Sequence, residues 1–187
     1  INNLKLNNIQ KENIECAIAC ALAMKIKIND IIKTLDKLKS ASGRFEEIIY
    51  KKKSSKIIID YAHTPDAIQN VLKSYTNKSF KPSLVFGCGG ERDKSKRKKM
   101  SIIANKYAKK VYLTDDNPRN ENANSIRKTL KKYCHKARDI SNRRLAIQTA
   151  ISEMHQKDIL IIAGKGHEKY QIIKNKNYLF DDLKVAK

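Results

Sequence analysis

An α/β fold is predicted: a Rossmann-like, mainly parallel sheet with helices on both faces, preceded by a short helical segment. Two observations carry this. From residue 56 onward, β-branched apolar runs alternate with stretches of helical periodicity, the pattern of a parallel sheet covered on both faces. Four of those runs also lead straight into a polar motif. Ile57–Ile59 leads into Asp60-Tyr61-Ala62-His63-Thr64-Pro65, and Leu84–Phe86 into the glycine-rich Gly87–Lys94. Val111–Leu113 runs into Asp115–Arg119 across Thr114, and Ile159–Ala163 into Gly164-Lys165-Gly166-His167-Glu168. In an open α/β sheet the ligand crevice lies outside the carboxyl ends of parallel strands. Four polar loops on one rim therefore read as a binding site assembled from dispersed segments.

The elements follow in order. Residues 13–25 place Ile14, Ala17, Ile18, Ala21 and Leu22 on one face of an amphipathic helix. Asn29-Asp30 reads as the cap of a second helix bearing Ile31, Ile32, Leu35 and Leu38. Ser40-Ala41-Ser42-Gly43 breaks the pattern, dividing the chain into 1–42 and 43–187. Strands are expected at 46–50 and 56–60 around a polar turn at 51–55. Thr64 reads as an N-cap with Pro65 at the first helical position, opening a helix that buries Ile68, Val71, Leu72 and Tyr75. Strand 83–87 precedes a helix near 96–109 with Met100, Ile103, Ala104 and Tyr107. Strand 110–114 precedes one near 123–134 with Ile126, Leu130 and Tyr133. A short strand at 137–140 leads to Ser141 as N-cap of a helix carrying Ile147, Ile151 and Met154. Strand 158–163 is next, and Tyr170–Ile173 with Tyr178–Phe180 forms a hairpin around residues 174–177. A further helix is expected to begin after Asp181-Asp182.

Composition narrows the function classes. With 187 residues and 41% hydrophobic content, the chain can bury a core and does not read as disordered. Its longest apolar stretch, Cys16 to Met24, is too short to span a bilayer. No secretory leader opens the chain, so a cytoplasmic protein is expected, and the start at Ile1 without Met reads as that of a fragment. Cys16 and Cys20 are expected as small core residues of a helix. Cys88 and Cys134 are isolated, and no C-x-x-C occurs, which fits a reducing compartment. The net charge of +21 invites a nucleic-acid reading. Yet only 8 of the 40 basic residues are Arg, and the lysines are spread through nearly every segment. With no finger, RNP-like or basic heptad pattern, we read a lysine-rich solvated surface, no specific nucleic acid and no membrane.

The loops carry a chosen set of side chains. Gly87-x-Gly89-Gly90 departs from the dinucleotide fingerprint, because the third glycine position is Arg92. Gly164-Lys165-Gly166 departs from the Walker A pattern. Glycines alone would mark tight turns, but these turns also bear ionic groups. Arg92 and Arg119 are fork donors suited to carboxylates, and Asp116 and Glu168 are acceptors suited to an ammonium. Asn117 offers an amide to either, and Pro118 stiffens the loop that aims Arg119. Together they fit a molecule bearing carboxylates and amines, such as a diamino diacid. His63 and His167 lack metal-ligand spacing, His135 and His155 read as surface residues, and no nucleophile with an activating base is evident.

In matching order, Gly43-Arg44-Phe45-Glu46, Asp60–Ala67, Gly87–Arg97, Asp116-Asn117-Pro118-Arg119 and Gly164–Glu168 resemble the Mur ligases of peptidoglycan synthesis, from about Asn13 to Phe180. The family has a UDP-sugar domain, a central P-loop ATPase domain and a C-terminal Rossmann-like domain that admits the incoming amino acid. The resemblance implies that 1–42 is the helical tail of the central domain and 43–187 the C-terminal domain. It implies an amino-acid site at Arg92, Asp116, Asn117, Pro118, Arg119, Gly164 and Glu168, and positions near ATP at Asn13, Arg44, Asp60, Tyr61 and His63. The Asp-Asn-Pro-Arg form is that of the members adding meso-diaminopimelate to UDP-N-acetylmuramoyl-L-alanyl-D-glutamate through an acyl phosphate, with ATP and Mg²⁺. It argues against the members that add D-alanyl-D-alanine and the folate-linking relatives. Glu91 stands where Asp is usual, which keeps the charge. A monomer is expected, and so is inactivity of the 187 residues alone, because the P-loop and UDP site are not among them. A stand-alone diamino-acid-binding module without ligase activity is the alternative.

Overall fold

The computed structural model describes residues 8–35, 37–38, 40–50 and 54–187. The chain divides into two compact units, Ile1–Ser40 and Ala41–Lys187. In the first, α1 (Asn8–Ala23) and α2 (Ile28–Leu35) pack on one another. Asn29 and Asp30 lie inside the first turn of α2 rather than capping it, where the acid faces the positive helix end. Ile31 is the residue buried on that helix, whereas Ile32 and Leu38 are exposed. Cys16 and Cys20 are exposed too, against the expectation of core positions. A unit of this size has too little interior to enclose every apolar side chain.

The second unit opens with β1 (Glu46–Tyr50) and β2 (Ser55–Asp60), paired antiparallel; residues 51–53 of the expected turn lie outside the described ones. Then come α3 (Pro65–Ser74), β3 (Ser83–Phe86), α4 (Ser95–Tyr107), β4 (Val111–Leu113) and α5 (Ala123–Tyr133). After β5 (Arg138–Asp139) follow α6 (Arg143–Ser152) and β6 (Ile159–Ala163), then a hairpin of β7 (Tyr170–Ile173) and β8 (Lys176–Leu179), and last α7 (Asp182–Ala186). The six-stranded sheet has the order β1-β2-β6-β3-β4-β5, and every pair beyond the first is parallel. From β2 the chain steps outward through β3, β4 and β5, then returns along α6 to insert β6 between β2 and β3. Parallel strands end on the same edge, so the loops after β2, β3, β4 and β6 share one rim.

Period-two alternation sends neighbouring side chains to opposite layers. Ile58, Leu84, Phe86, Leu113 and Ile161 pack with Ile68 and Leu72 of α3, Met100 and Ala104 of α4, and Ile126 and Leu130 of α5. Ile57, Ile59, Val85, Leu160 and Ile162 pack with Ala146, Ile147 and Ala150 of α6 and with Ala186 of α7. The starts of α3 and α6 are set by side-chain caps. The Thr64 hydroxyl accepts from Ala67 N at 3.2 Å, with Pro65 in the first turn. The cap of α6 is Asn142, whose side chain accepts from Leu145 N at 3.0 Å, and not Ser141. The Ser141 carbonyl instead accepts from Asp115 N and from the Thr114 hydroxyl, which leaves Asn142 at the position with extended backbone that an N-cap requires. α6 ends at Ser152, and Met154 beyond it is still buried. The hairpin turn is tighter than expected, with Ile173 paired to Lys176 and Lys174 in the left-handed region.

Candidate functional site

The loop after β3 and the loop after β4 lie against each other. Gly90 N donates to Asn117 O at 2.9 Å, and a Cβ on Gly90 would stand 2.0 Å from Pro118 O, so no side chain fits there. Arg97 of α4, which is buried, grips Glu121 with both terminal nitrogens at 2.6 and 2.8 Å and reaches Gly89 O at 3.3 Å. Glu121 also accepts from Glu91 N at 3.2 Å. The Arg97 guanidinium holds the Glu121 carboxyl down at about 2, far below its ordinary 4.5. This pair staples the two loops and escaped the sequence reading. Its signal, an Arg within the first turn of α4, does not stand out from the surrounding lysines.

Onto that frame the structure places the expected residues. Arg119 adopts φ +52°. Its Nη1 donates to Gly90 O at 2.9 Å and to Asn117 O at 3.3 Å. Its backbone is clasped by the hairpin, donating to Ile172 O and accepting from Lys174 N. Pro118 thus shares the aiming of Arg119 with β7, which the sequence reading assigned to Pro118 alone. A methyl on Gly89 would lie 2.9 Å from Arg119 Nη1 and 3.8 Å from Arg92 Cγ, so both arginines flank one glycine. Arg92 is exposed, and its guanidinium has no partner among the described residues.

The acidic side gathers around a residue the sequence reading passed over. Lys165 is fully buried. Its Nζ donates to Asn117 Oδ1 at 2.8 Å and to Tyr170 O at 2.6 Å, and stands 3.6 Å from both Asp116 Oδ1 and Glu168 Oε2. Burial lowers its pKa while the neighbouring Asp116 charge opposes that. Asn117 Nδ2 donates to Glu168 Oε2 at 3.1 Å, and Ile172 N donates to Asn117 Oδ1 at 3.0 Å. A lysine ammonium and a backbone N–H can only donate, so the amide orientation is compelled. Gly164, at φ +114°, lets the chain pass beside Asp116 Oδ2. Beneath this cluster Arg143 and Asp182 form a buried pair at 2.7 Å. Asp116, Asn117 and Pro118 are buried, and Glu168 is half-buried.

Along the rim the loop after β2 carries a second group. The Arg44 guanidinium stacks over the Tyr61 ring at 4.6 Å, and Tyr61 meets His63 edge-on at 4.6 Å and His167 at 5.3 Å. Gly43, at φ +68°, is pressed so close to Gly166 and His167 that a Cβ would stand 2.1 Å from His167 N, which joins the first and last motifs. Arg44 and His63 are exposed, and His63 Nδ1 lies 2.8 Å from Tyr61 O. Asp60 is buried, and its oxygens accept from Phe45 N at 2.9 Å and Ala62 N at 2.8 Å. Desolvation raises its pKa. Asp60 therefore shapes the loop from within. Lys96 ties this loop to α4 by donating to His63 O at 3.0 Å. Asn13 is exposed on α1, in the other unit. Among the described residues no group of three or more His, Cys, Asp or Glu is placed to hold a metal ion, and no helix is long and apolar enough to cross a membrane. Cys88 is buried beside Met100, and burial pushes its thiol up to about 12, which leaves it inert as a nucleophile.

Comparison with known proteins places these loops in a family context. Residues 43–166 match the family described as "Mur ligase, glutamate ligase domain". The chain is similar, at 43% identity over its whole length, to UDP-N-acetylmuramoyl-L-alanyl-D-glutamate–2,6-diaminopimelate ligase of Buchnera aphidicola subsp. Baizongia pistaciae. It is also similar to a solved structure of an enzyme with that name, with TM-score 0.71 and 35% identity over 97% of this chain and 38% of the other. A folylpolyglutamate synthase of Mycobacterium tuberculosis, solved with ADP and AMPPCP, shares the fold at TM-score 0.67 and 18% identity, over 84% of this chain and 38% of that one. The chain spans 38% of the length of the first curated relatives it matches.

Proposed function

The chain belongs to the Mur ligase family, and on that premise we propose that its rim is the amino-acid site of an ATP-dependent ligase. The ligase adds meso-diaminopimelate to UDP-N-acetylmuramoyl-L-alanyl-D-glutamate. One observation carries the reading: Asn117 joins two oppositely charged halves of the site. Its carbonyl accepts from Arg119, and its side chain donates to Glu168. Arg92 and Arg119 offer guanidinium donors to carboxylates, while Glu168 and Asp116 offer acceptors to an ammonium. A diamino diacid satisfies both halves, whereas lysine leaves an arginine unmatched.

In the reaction, ATP activates the D-glutamyl carboxylate as an acyl phosphate, the amine of meso-diaminopimelate attacks it, and phosphate leaves. This chain's part is positioning: it fixes the amino acid at both ends so that one amine faces the acyl group. The Arg44–Tyr61–His63 group, with Arg44 and His63 exposed, fits a nucleotide, with a cation for phosphates and rings for a base. Asp60 supports that group from below, and Asn13 is assigned to the nucleotide by resemblance alone. Mg²⁺ would accompany the phosphates, with no described residue assigned to it.

Titration calorimetry of the chain with meso-diaminopimelate and with lysine tests the site. Binding of meso-diaminopimelate in preference to lysine is expected, because losing the distal carboxylate strips Arg119 of its partner at a cost of roughly 2–5 kcal/mol when desolvated. Arg119→Ala should abolish that preference. Equal affinity for the two ligands in the unsubstituted chain would overturn the reading.

A further inference from the structure

Asp116, Glu168 and Lys165 bring two negative charges and one positive into one small volume, with the ammonium equidistant from the two carboxylates. The neighbouring Arg143 and Asp182 pair with each other and add no net charge. The remaining charge is one negative. That matches a single ligand ammonium, and the arginines flanking Gly89 are left to the carboxylates. Without Lys165 the same cluster would hold two unbalanced acids, which draws in a more cationic ligand.

We propose that Lys165 is a positioning residue that sets the acidic half of the site at one net negative charge, so that it selects an amino acid of balanced charge over one with an excess ammonium. This rests on the amino-acid reading above. The burial of Lys165 keeps its ammonium from acting on the ligand directly. Its Nζ is engaged by Asn117 Oδ1 and Tyr170 O, with both carboxylates at 3.6 Å around it. It acts through Asp116 and Glu168. Its charge, and not only its hydrogen bond to Asn117, is the operative property, since Ile172 N also holds the Asn117 oxygen.

The test compares the unsubstituted chain with K165M, K165Q and K165R, titrated with meso-diaminopimelate and lysine, each variant first checked for a cooperative thermal transition. Gln keeps a donor for Asn117 and loses the charge; Arg keeps the charge. The ratio of the two affinities should fall by about tenfold or more in both K165Q and K165M, and recover in K165R. A purely structural role would let K165Q retain the ratio, and that result overturns the proposal while leaving the amino-acid site standing. If the unsubstituted chain binds neither ligand, the amino-acid reading itself fails and this inference with it. If K165M does not fold, K165Q decides. The ¹⁵N signal of Lys165 Nζ gives a check without substitution: an ammonium at pH 7 is required, and a neutral amine there overturns the proposal whatever the variants do.

Discussion

Arg97 and Glu121 show how single residues hold a site they do not enter. Because Glu121 titrates at about 2 in the folded chain against an ordinary 4.5, its contribution to stability is fully present above about 4.5 and is lost as pH falls toward 2. Urea unfolding of the chain at pH 5 and pH 3 should show a drop in midpoint that is smaller in R97M, which lacks the partner. An equal drop in both would detach Glu121 from the acid limb. At this scale the sequence was partly legible. Arg119, Asn117, Asp116 and Glu168 stand out in the sequence as candidates because polar and ionic groups sit in loops after strands, and the structure brings them onto one rim. Lys165 sits in such a loop as well, but nothing in the sequence marks it, or Arg97 in α4, as buried among the chain's 40 basic residues. Only burial and partner geometry identify them.

Elements carry the next layer. Strand runs and helical periodicity located the sheet and its covering helices to within a residue or two, because both periods are local properties of the chain. Helix starts were harder to read where two capping residues compete. Ser141 and Asn142 are adjacent, and both favour an N-cap. The contacts of the Ser141 carbonyl with Asp115 and Thr114 decide between them. Asn142→Ala should therefore cost about 1 kcal/mol of unfolding free energy, and Ser141→Ala about 0.5 kcal/mol or less, measured by urea denaturation of both variants. The hairpin is a second case. Its strands were foreseeable, but its clasp on Arg119 pairs segments more than fifty residues apart and left no local trace.

At the scale of the whole unit, the last helix is tied to the centre by its apolar face and by one fully buried ion pair. Asp182 receives two hydrogen bonds from Arg143, at 2.8 and 2.7 Å, and both side chains are fully shielded from water. Removing one partner of such a pair leaves an uncompensated charge inside, a loss of about 3–5 kcal/mol. Asp182→Ala should lower the denaturation midpoint accordingly, while Lys184→Ala on the exposed side of α7 should stay within about 0.5 kcal/mol; similar losses in both would refute a central role for the pair. The same pair lies under the Lys165 cluster, where the charges of Asp116 and Glu168 reach Arg143, so α7 supports the rim from behind. What the sequence determined by itself was the order of strands and helices, and the four polar loops that follow the strands, since these depend on short-range periodicity and residue type. Tertiary structure alone decided which charges are shielded from water and meet. Burial and charge pairing arise only once distant segments share a volume, and there a loop lysine becomes the centre of a charged cluster.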